Sequence, residues 1–345
     1  MTPWVLTRSA LGTAVLEGSL CTAPVRDRAG HVVLDKGTLL GEDDRARLAD
    51  GAWEALHLVR CDPGDLVEAV AGGRVAHAVA GPGVRVSAVT RGQWPLCASW
   101  RGLLEVDAGT LAELNGNEDV SVYTLFDGQV VDRDEVVGCA KVIPFVVGES
   151  AVAAAEGLME RRGAAVRVRK FSPHRVAAVV LERLGDQARV RFGELFDEKV
   201  RWFGGTLDRV DHVVPEVGAV RAAIERAVRD CHLTVVAGTR AMDPLDPVFQ
   251  ALESLGAHRV RRGMAAHPGS LCWIAQLGDR WVVGLPSCGV LSQATIFDLI
   301  FTWLFADMAI TPERLASVGH GGLLTRDMAY RFPPYRAQRE RGEVE

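Results

Sequence analysis

Two short apolar segments in the second half of the chain limit the folds it can adopt more than any other feature does. Residues 176–181 read VAAVVL, and residues 233–237 read LTVVA. A strand that is apolar at successive positions is typical of a sheet covered by helices on both faces. Residues 217–231 lie between the two segments and carry apolar side chains at helical spacing. The order of strand, helix and strand predicts an α/β domain with a mostly parallel sheet.

Further elements are predicted on both sides of these segments. In the second half we expect two helices, at 247–255 (stopped by Gly256) and at 293–305. We also expect an antiparallel pair of strands, at 273–277 and 281–284. In the first half we expect short strands and four helices, at 41–50, 64–79, 107–115 (capped by Asp107) and 148–162. The chain is therefore divided into a mixed α/β segment (1–83), a β-rich domain with a closing helix (84–172), the α/β domain (173–324) and a tail (325–345).

Composition excludes several classes of protein. No apolar run reaches the roughly 18–20 residues that span a bilayer, and the N-terminus lacks the pattern of a secretion signal. The seven cysteines form no CxxC pair, which favours reduced thiols in a cytoplasmic protein. The net charge is −5, and basic clusters such as 259–262 are short and lack interleaved aromatic residues. We interpret them as solvated faces and expect neither a nucleic acid nor a membrane as partner.

Three loops of the α/β domain carry candidate ligand-binding residues, because ligands of open α/β sheets bind beyond the carboxyl ends of strands. In the first loop, 237–247, Gly238 permits close approach of a ligand and is followed by Thr239. Asp243 and Asp246 each precede a proline, so each could cap a helix. The second loop is a tight turn made of His267, Pro268, Gly269 and Ser270. Its histidine could bond a phosphate or a pterin oxygen.

The third loop, 284–289, leads into the helix predicted to begin near Ser292. Backbone N–H groups at a helix N-terminus bind anions directly, and small residues expose them. The candidate residues of this loop are Gly284, Pro286, Ser287, Cys288, Gly289 and Ser292. Cys288 has no neighbouring base in the sequence, so we assign it to the lining of the site and leave catalytic residues unassigned.

The order of these loops resembles the molybdopterin-binding domain of the MogA/MoaB group and the MoeA/gephyrin molybdenum transferases. That family carries Gly-Gly-x-Ser-x-Gly-x-x-Asp after a buried strand, then Lys-Pro-Gly-Lys, then Gly-Leu-Pro-Gly-Asn-Pro-x-Ser before a long helix. With one inserted residue, Asp246 matches the family's acidic position. Residues 315–324, ending Gly-His-Gly-Gly-Leu-Leu, resemble a MoeA-like bacterial subgroup. In the first half, Asp35-Lys-Gly-Thr and Cys139-Ala-Lys-Val-Ile-Pro144 resemble MoeA more loosely.

The chain also departs from the family's motifs. Both lysines of Lys-Pro-Gly-Lys are replaced, by His267 and Ser270, and Gly-Asn-Pro has become Ser-Cys-Gly at 287–289. The family's Ser/Thr-Gly-Asp-Glu segment after the first strand is replaced by Leu-Glu-Arg-Leu at 181–184. A lysine is a compact charge suited to an oxyanion, so these losses disfavour molybdate chemistry by the family's route. Binding through backbone donors does not need those side chains.

The resemblance implies a protein that binds molybdopterin or the molybdenum cofactor in its biosynthesis, handover or storage. Two alternatives stay open: an active molybdenum transferase with Mg²⁺ held by Asp243 or Asp246, and a non-catalytic scaffold or regulator that keeps the fold. The expected ligand is a pterin-phosphate small molecule. Expected protein partners are molybdoenzymes or their maturation proteins, and family analogy implies a homodimer or homotrimer.

Overall fold

The structure, a computed structural model, describes residues 1–285 and 294–335 and divides into two compact units. The N-terminal unit comprises Met1–Trp100, Leu104–Asp127 and Val131–Val168. The C-terminal unit comprises Arg101–Leu103, Gly128–Val130 and the chain from Arg169 onward. Each unit has its own cluster of buried apolar side chains. The finer domain boundaries proposed from the sequence remain predictions.

The first half of the chain forms short strands and four helices. In chain order they are β1 (Thr2–Thr7), a 3₁₀ helix (Arg8–Ala10), β2 (Ser19–Cys21), β3 (Val25–Arg26), β4 (Val32–Leu34), β5 (Leu39–Leu40), α1 (Asp44–Asp50), β6 (Ala55–Arg60), β7 (Asp65–Val67), α2 (Glu68–Val79), β8 (Val84–Val86), β9 (Trp94–Ala98), β10 (Gly102–Val106), α3 (Ala108–Leu114), β11 (Val120–Thr124), β12 (Val130–Val131), β13 (Val136–Val142), β14 (Val146–Gly148), α4 (Glu149–Arg162) and β15 (Val166–Lys170).

These strands form small sheets, in the orders β1-β6-β2-β5, β11-β13-β9-β8, β12-β10-β15, β14-β7 and β3-β4. Helix α2 buries Ala71, Val75 and Val79, and α4 buries Val152 and Ala155 in the same cluster. Their spacing of three and four residues places them on one face of each helix. The predicted cap of α3 is confirmed, because the Asp107 carboxylate accepts a hydrogen bond from the Thr110 backbone N–H at 2.9 Å.

The second half alternates strands with longer helices. In chain order they are β16 (Arg175–Val180), α5 (Asp186–Trp202), β17 (Thr206–His212), α6 (Val217–Asp230), β18 (Leu233–Ala237), α7 (Pro247–Ser254), β19 (His258–Arg262), β20 (Trp273–Leu277), β21 (Arg280–Leu285), α8 (Ile296–Phe305), α9 (Pro312–Ser317) and a 3₁₀ helix (Arg326–Arg331). Within 1–285 and 294–335, no helix is both long enough and apolar enough to cross a membrane.

The C-terminal unit is built on one six-stranded sheet of order β17-β16-β18-β21-β20-β19. The first four strands run parallel, and the last two pairings are antiparallel. Val180, Ala237 and Leu285 are in register, so β16, β18 and β21 end together. The expected α/β class is confirmed, and β18 and β20 have the bounds predicted from the sequence.

Helices α5 and α9, strands β17 and β19 and the 3₁₀ helix Arg326–Arg331 escaped the sequence analysis. Helix α5 buries Phe192, Phe196 and Val200, spaced four residues apart, while charged residues fill most positions between them. The apolar stripe is therefore narrow. Strands β17 and β19 lie at the two edges of the sheet and carry charged side chains, which protect an edge from pairing with other chains.

Helix α8 begins at Ile296, later than both the predicted bound at 293 and the expected start near Ser292. The physical reason is a capping box. The Thr295 side chain accepts from the first turn, and the Asp298 carboxylate accepts from the Thr295 backbone N–H at 2.8 Å. Asp298 is fully buried, and its other oxygen lies 2.6 Å from Lys199 Nζ and 3.2 Å from the Tyr335 hydroxyl. Burial, and then Asp298, raise the pKa of Tyr335 well above its ordinary value.

We expect Lys199→Met to destabilise the C-terminal unit by about 3 kcal/mol, because it leaves the Asp298 carboxylate buried without its cation. Lys170→Met is the matched control, since Lys170 is exposed in the same unit. Urea unfolding followed by circular dichroism measures both. Equal unfolding midpoints for the two variants would show that the pair contributes nothing.

Candidate functional site

The topology of the six-stranded sheet brings the first two predicted loops to one edge, together with the end of β21, where the third loop begins. β16, β17, β18 and β21 are parallel, so the segments that follow them emerge on the same side. β20 runs antiparallel to β21 and starts opposite the end of that strand, where Trp273 pairs with Gly284. The His267–Ser270 turn precedes β20 and therefore lies at this edge too. We call it the carboxyl edge; it is where open α/β sheets bind ligands.

Gly238, at the end of β18, is where the backbone of the first loop passes close to its neighbour. Its φ is +88°, and an added Cβ would lie 2.8 Å from the Glu182 backbone nitrogen, just after β16. Both its conformation and the lack of space require glycine here. The first loop is thus pressed against the 181–184 segment.

Asp246 organises the first loop from within. It is 3% exposed; one carboxylate oxygen accepts from Val248 N–H at 2.9 Å and the other from Arg240 N–H at 2.8 Å. The first bond caps α7, as predicted. The second ties the start of the loop to its end. The carboxylate thus holds the backbone that follows Thr239.

Asp243 does not cap a helix, so that prediction is wrong. Its carboxylate accepts from Leu245 N–H at 2.9 Å, within a turn that ends before α7 begins at Pro247. The Asx turn satisfies the side chain locally, because a carboxylate two residues before an N–H can bond it without any helix. Asp243 is half-exposed and lies 3.8 Å from the Arg240 guanidinium.

Arg262, at the end of β19, also holds the first loop. Its Nε donates to the Ala241 carbonyl, and its guanidinium lies 4.5 Å from the centre of the Phe249 ring on α7. The interpretation of 259–262 as a solvated face is therefore wrong for this residue, which is half-buried. The carbonyl and the aromatic ring take the place of part of the water that would otherwise surround the guanidinium.

The second loop packs against the start of α8. Gly269 has a φ of +106°, and an added Cβ would lie 2.7 Å from the Ile296 side chain. The Pro268 carbonyl accepts from Ile296 N–H at 3.2 Å. His267 and Ser270 are exposed on either side of this buried contact. The structure therefore fixes the backbone of the turn and leaves both side chains facing outward.

The Gly-His-Gly-Gly segment noted in the sequence lies beside this turn. His267 N–H donates to the Gly322 carbonyl, and Leu324 N–H donates to the His267 carbonyl, both at 2.8 Å. A Cβ on Gly322 would lie 2.3 Å from the Ala265 carbonyl oxygen, so only glycine permits this approach. The segment supports the second loop from behind.

Most of the third loop lies outside the described residues: Pro286, Ser287, Cys288, Gly289 and Ser292. Gly284 is described and is buried inside β21, where an added Cβ would lie 2.1 Å from the Trp273 indole nitrogen. Its visible role is to make room for that ring. Its contact with a ligand remains a prediction.

The expected anion site at the N-terminus of α8 needs correction. The N–H groups of Thr295, Ile296 and Phe297 donate to Asp298, Pro268 and Thr295, respectively. Asp298 N–H donates within the same capping box. A helix start binds an anion only through free N–H groups, and these are already used. Any backbone anion site of the third loop would have to lie before Thr295.

Thr239 Oγ1 and His212 Nδ1 are buried without a hydrogen-bond partner among residues 1–285 and 294–335, and so are Asp211 Oδ2 in β17 and Trp273 Nε1 at the start of β20. Thr239 follows β18 and His212 ends β17; the two strands are separated in the sheet by β16. Burial, and then nearby Arg189, lower the pKa of His212 below its ordinary value of 6.5, so the ring is neutral at pH 7. The sequence analysis named Thr239 but missed His212, because β17 itself was not recognised.

Within the described part of the chain, no three His, Cys, Asp or Glu side chains cluster closely enough to hold a metal ion. The predicted Mg²⁺ ligands differ in environment, since Asp243 is half-exposed while Asp246 already accepts two backbone bonds. Proteins usually bind Mg²⁺ through one or two carboxylates together with phosphate oxygens and waters. The Mg²⁺ site remains a prediction.

We expect Asp246→Ala to destabilise the C-terminal unit by about 2 kcal/mol, because it leaves two backbone N–H groups without an acceptor. Asp243→Ala removes a single exposed turn bond, and we expect about 0.5 kcal/mol. Thermal unfolding of the two variants tests the difference. Equal losses of stability would contradict the organising role of Asp246.

Gly238→Ala should destabilise by about 2 kcal/mol or more, since the left-handed backbone and the contact with Glu182 both oppose a side chain. Gly256→Ala is the control: its φ is +72°, but nothing lies within 4 Å of an added Cβ. It should lose only the cost of the backbone conformation, about 1 kcal/mol. If the two variants unfold at the same denaturant concentration, the close approach at Gly238 is unimportant.

Comparison with known proteins gives weak structural likenesses. No family model and no curated protein matches the chain. Among solved structures, a molybdopterin biosynthesis MoeA protein from Pyrococcus horikosii shares 14% identity over 70% of this chain and 79% of its own, with a TM-score of 0.31. A molybdopterin biosynthesis protein from Mycobacterium abscessus shares 19% identity over 42% of this chain and 98% of its own, with a TM-score of 0.29. Scores of this size do not establish a shared fold.

Proposed function

We propose that the carboxyl edge of the six-stranded sheet binds molybdopterin or the molybdenum cofactor, and that the protein acts in the biosynthesis, handover or storage of that cofactor. The observation that carries the proposal is that Thr239 Oγ1 and His212 Nδ1, both at this edge, are buried without a hydrogen-bond partner among the described residues. A buried polar atom without a partner is costly, and a ligand that bonds it removes the cost. Thr239 belongs to the first loop, and His212 ends β17, two strands away in the same sheet.

The ligand's chemistry fits the groups available. A pterin offers ring nitrogens and an oxygen, which can pair with a hydroxyl and a neutral imidazole. Because His212 is neutral at pH 7, it contributes a hydrogen bond and no counter-charge.

Positive charge for the phosphate comes from arginines in place of the two missing lysines. Arg183 follows β16, Arg189 lies in the first turn of α5, and Arg240 follows β18. All three are exposed. No side chain of the described residues accepts a hydrogen bond from the first N–H groups of α5, whereas those of α8 are bonded by its capping box. Arginine binds phosphate through a planar fork of donors, so these residues favour holding the ligand over moving an oxyanion.

The test compares Thr239, in the loop after β18, with Thr234, inside β18. Thr239→Val removes the hydroxyl at the edge, and Thr234→Val removes a hydroxyl of the fully buried Thr234 inside β18; neither hydroxyl has a partner among the described residues. We expect Thr239→Val to weaken molybdopterin binding roughly tenfold without loss of thermal stability, because only the ligand uses that oxygen. Thr234→Val should bind as the natural chain does. Pterin retained by the purified protein is measured by oxidation and fluorescence.

The outcomes separate the functions. Absence of pterin from the purified protein, together with no affinity for added cofactor, rules out the proposal and leaves the non-catalytic scaffold. If pterin binds, complementation of a strain lacking its molybdenum transferase decides between holder and enzyme. Growth on a molybdoenzyme-dependent medium would favour the transferase, whereas failure despite good expression favours the binding role.

A further inference from the structure

The N-terminal unit contains a groove of about 780 Å³ between α2 and α4, well away in sequence from the carboxyl edge. Ligand pockets typically measure roughly 300–1,000 Å³ and combine an apolar wall with a few polar groups. This groove has both kinds of group. Its lining comes from one face of α2, from the end of α4 and from Trp94 of β9.

An indole ring lies along one side of the groove. Trp94, from β9, is half-buried, and its ring lies against α2 at two successive glycines. An added Cβ on Gly72 would lie 2.8 Å from the indole, and one on Gly73 would lie 3.2 Å from it. Glycine is unfavourable inside a helix by up to about 1 kcal/mol, so this pair has a packing reason: it admits the ring. Met159 and Val70 extend the apolar surface.

The charged side chains of the groove carry more negative than positive charge. Arg74 is held by Glu156, at 2.9 and 2.7 Å, and by Glu149 at 2.9 Å. Its hydrogen bonds lower the pKa of the Glu156 carboxyl, which stays ionised. Glu160, one turn further along α4, forms no ion pair with any residue in 1–285 or 294–335 and is exposed. The Glu160 carboxylate therefore has no counter-charge in the groove.

His77 adds a further polar group. Its Nδ1 lies 2.7 Å from the Gly73 carbonyl oxygen. A carbonyl only accepts, so Nδ1 carries a proton in this contact, and Nε2 is the ring nitrogen left for other hydrogen bonds. The groove thus combines an aromatic side chain, an apolar wall, a free carboxylate and an imidazole nitrogen.

We propose that this groove binds a small organic cation, an amine with an aromatic or apolar body. The body packs on Trp94 and Met159, and the ammonium group is held by Glu160 and the groove's acceptors. Ammonium ions are attracted electrostatically to the face of an indole. An anion finds no free cation in the groove, because Arg74 is already held by two carboxylates. The inference is independent of the function proposed for the C-terminal unit.

The experiment compares 2-phenylethylamine with 2-phenylethanol, a neutral molecule of the same shape, by titration of the full chain in a calorimeter. We expect saturable binding of the amine, at least fivefold tighter than that of the alcohol. Glu160→Gln should weaken amine binding about threefold to fivefold and leave the alcohol unaffected. Ala69→Trp should abolish binding of both, because Ala69 is exposed on α2 and a large side chain there fills the groove.

The matched control is Glu225→Gln, an exposed helical glutamate on α6 of the other unit, which should bind the amine as the natural chain does. Thermal unfolding of each variant establishes that it folds. Three results would overturn the proposal: no saturable binding of the amine, equal affinity for amine and alcohol, or equal effects of Glu160→Gln and Glu225→Gln. A heteronuclear NMR shift map confined to α2, α4 and β9 would locate binding in the groove.

Discussion

Burial of β16 and β18 on both faces is the constraint on which the rest of the C-terminal unit depends. Val176, Ala178 and Val180 face a layer that contains α5 and α8, whereas Val179 faces one that contains α6 and α7. Each face needs a helical cover, because successive side chains of a strand point to opposite sides. A crossover helix returns the chain to start the next strand in the same direction. The loops that follow these strands are therefore gathered at one edge.

Polar groups at that edge divide into those that build it and those that it leaves available. Asp246, Arg262 and Asp298 each bond backbone groups of the loops or helix starts, and Asp246 and Asp298 are buried in doing so. Thr239 and His212 keep a buried atom without a partner in the described residues. Side chains of the first kind hold the loops rigid. Those of the second kind are where a ligand adds most to stability.

The division also explains how His267 and Ser270 can stand where the resembled motif has lysines without changing the backbone of the second loop. Neither lysine position builds the second loop, since His267 and Ser270 are exposed and the contact with α8 is made by Pro268 and Gly269. Backbone and glycine geometry therefore survive changes at the two side chains. Arg183 and Arg240, which follow β16 and β18, are exposed cations in other segments at the same edge.

The sequence by itself determined the buried strands, the α/β class and the cap of α7 by Asp246. These features depend on local periodicity and on the conformations of single residues, which a sequence displays directly. Only the tertiary structure revealed edge strands β17 and β19, the narrow apolar stripe of α5 and the close approaches of Gly238, Gly269 and Gly322 to other segments of the chain. It also decided where α8 begins, because Asp298 caps that helix while held by Lys199, 99 residues earlier in the chain. Edge strands and buried ion pairs are stabilised by contacts between distant segments, and no local pattern records such contacts.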